Sequence, residues 1–140
     1  MGMDIILNQR IYFPVHTSNG ALAVTITDKN SSLPVMDPNK ICSVSIRLGE
    51  FRGYEVAELL ELHTGSGFVS NGTDWFFGQH DAQHLIETIS EILSNPGDSS
   101  FTPEDREEAE FFLETIQTLR RVLVEAIDNG ADTFEVLTWC

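Results

Sequence analysis

His80 and His84 stand four residues apart, the spacing that puts two imidazoles on one face of a helix and would suit a pair of metal ligands. The intervening Asp81 reads as the better helix cap, which predicts that His80 lies just outside the helix and loses that facing. The stretch His80-Asp81-Ala82-Gln83-His84 also lacks the Glu that zincins place after the first His, and Asp is one methylene shorter as a general base. Surface histidines are the simpler reading, so neither a metal nor a cofactor is expected. A small metal-dependent hydrolase using His63, His80 and His84 is the alternative in which these rings do chemistry.

Other chemistry-bearing residues give weaker patterns. Gly65-Ser66-Gly67 lacks the G-x-S-x-G frame of a nucleophile turn and the Gly-Lys-Ser/Thr ending of a phosphate loop, so it reads as a loop tip. Cys42 alternates with apolar residues and reads as core, and Cys140 has no His near it in sequence to activate it. Two cysteines give neither a disulfide framework nor a metal-ligand spacing, which fits a reducing, cytoplasmic setting. No pair of acids has a spacing that marks a catalytic dyad, so the chain reads as a non-enzymatic binding protein.

The acids themselves are the unusual feature. The net charge is −14, and it is unevenly placed. Residues 1–54 carry four acids and five bases; the rest of the chain carries 18 acids against Arg106, Arg120 and Arg121. A field of that sign disfavours nucleic acid and anionic membranes and favours a basic protein partner. Asp98, Glu104, Asp105, Glu107, Glu108, Glu110 and Glu114 are concentrated around the start of one helical segment. Acids in a first turn are stabilised by the helix dipole, by about 0.3–1 kcal/mol each. With a helix beginning near Thr102, that explanation stops short of Glu107, Glu108, Glu110 and Glu114, and the Glu110/Glu114 pair is mutually repulsive. Those residues, with Phe101 and Phe111 as apolar anchors, form the expected partner-binding surface. A purely solubilising charged face is the competing reading.

The elements that must carry these residues follow from periodicity. Asp4 to Val15 is rich in Ile, Tyr, Phe and Val and runs towards Asn19-Gly20, a hairpin signal. Leu22, Val24 and Ile26, and later Cys42, Val44, Ile46 and Leu48, alternate with polar or small residues as half-buried strands do. Tyr54 to His63 fits a helix or a strand equally, and Trp75-Phe76-Phe77 suggests a short strand. Ala82, Leu85, Ile86, Ile89, Ile92 and Leu93 predict a helix ended by Asn95-Pro96-Gly97. Thr102-Pro103-Glu104-Asp105 predicts the cap of a second, whose face is Ala109, Phe112, Leu113, Ile116, Leu119, Leu123, Ala126 and Ile127. Thr133 to Trp139 reads as a closing strand. The expected fold is therefore α+β in a single domain spanning residues 1–140. It comprises an antiparallel sheet from the N-terminal third plus a C-terminal strand, packed by two C-terminal helices. The N-terminus has no secretory signature, and no apolar run reaches the roughly 20 residues of a membrane span.

An N-terminal meander followed by helices in a small acidic domain resembles the immunity proteins of bacterial polymorphic-toxin and contact-dependent inhibition systems. Phe77 to Leu85 is also similar to a G-x-D-x-x-Q-A-L element of a family of small bacterial proteins, with Gly78 and Leu85 close to the pattern and the Asp and Gln each displaced. The resemblance implies a protein that neutralises a cognate toxin domain, most naturally a basic nuclease. A phage anti-defence protein that mimics nucleic acid or sequesters a nucleotide signal is a second binding-class alternative.

Overall fold

Two alternations of apolar residues, one on each side of a long first strand, organise the sheet. The computed structural model describes residues 3–18, 21–24, 41–64 and 74–139. β1 (Asp4–Ser18) is flanked by β3 (Ile41–Arg52) and β5 (Thr133–Trp139), while β4 (Asp74–Gly78) pairs with β5. The short β2 (Ala21–Val24) pairs with the C-terminal end of β1, and every pairing is antiparallel. The predicted turn at Asn19-Gly20 and the proline-containing loop lie outside the described residues, as do the glycines at 65, 67 and 72 and the side chain of Cys42.

Three helices cover one face, one more than the sequence predicted: α1 (Tyr54–Thr64), α2 (Gln79–Ser94) and α3 (Arg106–Asp128). Among the described residues, none of the helices is long and apolar enough to cross a membrane. The segment whose periodicity was undecided becomes helical because Val56, Ala57, Leu59 and Leu60 all face the core. Gly53 makes the turn into it, with a φ of 126° that disfavours any residue with a side chain. Ile5, Leu7, Phe51, Phe134 and Val136 from the sheet meet Leu85, Ile89, Phe112, Ile116, Leu119 and Leu123 from the helices in one core. The predicted stripe of α3 lies against it, with Leu113 and Ile127 at its partly buried margins.

The alternation in β3 does not run its whole length. Asn8 pairs with Arg47 and Leu7 with Gly49, so one residue is inserted between the two pairs. A single insertion reverses which side chains face inward. Val44 is buried before it and Phe51 after it, an even and an odd position on the same strand.

Both helix starts differ from the sequence expectation. α2 begins at Gln79 directly after β4, with Gly78 at the cap position and no side-chain cap, so Asp81 lies in the first turn and His80 is inside the helix. α3 is capped not by Thr102 but by Asp105, whose carboxylate accepts a hydrogen bond from the Glu108 amide at 3.1 Å. Asp105 and Glu108 have the spacing of a capping box one turn later than the one read at Thr102. The stops are as expected: Asn95 closes α2 ahead of a single 3-10 turn at Pro96–Asp98, and Gly130, φ 93°, follows α3.

On the sheet face away from the core, buried Glu135 accepts hydrogen bonds from Asn8 Nδ2 and Ser45 Oγ, both at 3.1 Å. Arg10 donates to Ser45 at 2.7 Å and lies over the Phe76 ring, 5.6 Å from its centre. Neutral donors and a cation one bond away thus offset the desolvation of this carboxylate.

Candidate functional site

Two hollows lie at the two ends of α1, and each gathers residues that the sequence had singled out. The first is bounded by the start of α1 and the start of α3. Its volume is about 490 Å³, and its lining includes Tyr54, Glu55, Asp105, Glu107, Glu108 and Phe111. Gly53 fixes where α1 begins and Asp105 fixes where α3 begins, so the helix caps position the hollow. Phe111 is 51% exposed and Tyr54 46%, whereas Phe112, the next residue along α3, is buried at 2%. Such large apolar side chains are unusual as exposed neighbours unless a partner covers them.

The charges of this hollow have a partly structural origin. With α3 starting at Arg106, Glu107 and Glu108 fall in the first turn, where the helix dipole stabilises them, and Asp105 is the cap itself. This overturns the expectation that Glu107 and Glu108 lie beyond the reach of the helix start. Glu110 is placed 3.4 Å from Arg106 in an exposed ion pair. Glu104, Glu110 and Glu114 are exposed around the same helix start but do not line the hollow. Arg52 also lines the hollow, with its guanidinium held by Asp4 at 2.9 Å. What the fold leaves unexplained is therefore Phe111 and the Glu114 carboxylate, not the acid run as a whole.

The second hollow, about 650 Å³, lies at the other end of α1 and contains the remaining two predicted contact residues, Asp98 and Phe101. The nine residues therefore do not form one surface. Phe101 is only partly exposed and packs against the core, and Asp98 accepts a hydrogen bond from Asn95 Nδ2 at 2.6 Å. The same hollow is lined by His63, from the last turn of α1, and His84, from α2, whose ring centres are 5.1 Å apart at a tilt of 58°. Phe101 stands 6.3 Å from the His63 ring. Burial, and secondly the neighbouring His84, hold the His63 imidazole below its ordinary pKa of 6.5. His80, exposed in the first turn of α2, does not line this hollow. Among the described residues, no three side chains of the His, Cys, Asp or Glu type are grouped to hold a metal ion. The His63–His84 contact joins two helices, so no local spacing in the sequence could have shown it.

No protein-family model matches the chain, and no curated protein or solved structure does. The arrangement of side chains is therefore what bears on function.

Proposed function

We propose that this is a non-enzymatic protein that binds and blocks a basic partner protein, with the groove around Phe111 as the contact. The observation that carries the reading is a half-exposed Phe111 set among Asp105, Glu107 and Glu108, beside the half-exposed Tyr54. An aromatic anchor in a mainly acidic lining, whose Arg52 is already paired with Asp4, suits a contact that must both attract and hold. The acids would raise the rate of encounter with a basic surface, and the aromatic would supply most of the affinity. A nuclease domain is the partner best suited to this chemistry, because its active site must itself be basic to attract phosphates. The immunity-protein reading follows from that, as does a cytoplasmic place of action.

The test begins with the basic protein that co-purifies with the chain from its source cell at low salt, followed by reconstitution of the complex from pure components. Phe111→Ala is expected to weaken binding about 30-fold, the equivalent of about 2 kcal/mol for a central aromatic. Raising the salt concentration should slow association without comparable change in dissociation. A complex indifferent to both would overturn the reading.

A further inference from the structure

The His63/His84 hollow is not used by the proposed partner contact, and its two imidazoles are placed in a way that the fold does not require. Among the described residues, neither ring takes part in a hydrogen bond or an ion pair; the two rings face each other, and His63 also stands near Phe101. Two rings that were needed only for packing would be served as well by aromatic or aliphatic side chains. Two imidazoles that line one hollow and make no hydrogen bond among the described residues are a candidate donor pair.

We propose that His63 and His84 form a binding site for a divalent late first-row transition metal ion, of the Zn²⁺, Ni²⁺ or Cu²⁺ class, with water completing the coordination. The separation, which is also that of two tilted rings in ordinary contact, is compatible with a shared ion. A metal–nitrogen bond of about 2.0–2.1 Å, a ring centre roughly 1.1 Å beyond the nitrogen and a tetrahedral angle place two coordinated imidazole centres about 5.2 Å apart. The observed separation is 5.1 Å. The ligands come from two helices fixed by the core through Leu59, Leu60, Leu85 and Ile89, so the pair is held together without a metal to organise it. Glu91 and Asp98 line the same hollow and no Lys or Arg does, which favours a cation there. Imidazole donors select the late transition ions over Mg²⁺ and Ca²⁺, whose sites are built from oxygens. With no third side-chain ligand grouped among the described residues, the ion keeps open positions and exchanges readily.

The experiment uses the full chain without a histidine tag, stripped of metal, and titrated with Zn²⁺ and Ni²⁺ by calorimetry and with imidazole-ring NMR as the second readout. One equivalent should bind, shifting the ring signals of His63 and His84 ahead of those of the other two histidines. His63→Ala and His84→Ala should each weaken binding at least about tenfold, the lower range for disturbing a metal shell. His80→Ala should leave it unchanged. His84 is exposed, so its replacement is not expected to compromise folding, and circular dichroism checks both variants. Two outcomes overturn the proposal. One is binding lost in His80→Ala but kept in His63→Ala, which would place the ion on the helical His80/His84 pair. The other is binding of the wild-type chain no tighter than that of a folded His63→Ala/His84→Ala double variant. Neither outcome bears on whether Phe111 contacts a partner.

Discussion

The hollow at the start of α1 and the hollow at its end differ in what the fold accounts for. At the start, the charges are largely explained by two helix beginnings, and the residue left without a structural role is apolar, Phe111. At the end, the apolar residues Ile92 and Phe101 are explained by the core, and what is left over is polar, the His63/His84 pair. In each case the residue of interest is the one that local energetics would not have chosen. An acidic cluster at a helix start is therefore weaker grounds for a binding surface than a single exposed ring beside it.

The largest effect expected from this contrast comes from two neighbours on α3. Phe112→Ala should lower stability by about 3–5 kcal/mol, because a fully packed aromatic leaves a cavity. Phe111→Ala should change stability by no more than about 0.5 kcal/mol while removing most of the partner affinity. Chemical denaturation of both variants checks this. A Phe111 variant as unstable as the Phe112 one would make Phe111 a core residue and end its assignment as an anchor.

Next in size is the helix start. Asp105→Ala should cost about 1 kcal/mol, the usual loss for a cap, whereas Thr102→Val should be neutral or stabilising, since Thr102 Oγ1 is buried and has no hydrogen-bond partner. If thermal melts ranked the two variants the other way, α3 would begin at Thr102 and Glu107 and Glu108 would again need a role beyond the dipole. Charge-reversal experiments on the groove should therefore leave Asp105 in place.

These two residues also show where the sequence was readable. Thr102-Pro103 and Asp105 to Glu108 both have the form of a helix start, and only the packing of Phe112 and Ile116 against the sheet selects between them. Elements with one dominant period were legible: the stripe of α3, the closing strand at Thr133–Trp139 and the antiparallel sheet of the N-terminal third, though not the pairing of β1 with β3 along most of its length. Tyr54 to Thr64 was not, because its apolar residues fit both periods and the deciding fact is that the adjacent pairs Val56/Ala57 and Leu59/Leu60 are buried together, as one face of a helix allows and one face of a strand does not. The insertion in β3 left a trace at Gly49-Glu50-Phe51, where the apolar positions change from even to odd, but the alternation read from the sequence extends only as far as Leu48. Phe111 was legible as a residue off the core stripe. His63 beside His84 was not, since the contact depends on how two helices cross.

A smaller effect is expected from pH at the second hollow. The folded pKa of His63 is below the unfolded value of about 6.5, so the unfolded chain binds the proton more readily. Stability from this group is complete above the unfolded value and declines as pH falls through that value towards the folded one. His63→Gln should flatten that part of the stability–pH curve below pH 6.5, as read by urea midpoints, with His84→Gln reducing it less because burial is the larger cause. A curve with equal slope in the wild type and in His63→Gln would mean that the ring is as well solvated as in the unfolded chain, and that the second hollow is more open than its lining suggests.

The smallest effect tests the acid that the fold does not use. Glu114 lies one turn beyond Glu110 on α3, past the reach of the helix dipole, and among the described residues it has no ion pair. Like charges at this spacing destabilise a helix by about 0.2–0.5 kcal/mol, so Glu114→Gln should stabilise the chain by that amount. If the charge is kept for a partner, the same substitution should slow association with a basic protein, most visibly at low salt. A small gain in stability together with a loss in association rate is the signature of a charge retained at the fold's expense. A gain in stability with no change in rate would leave Glu114 a solubilising residue and confine the proposed contact to Phe111 and the acids of the first turn.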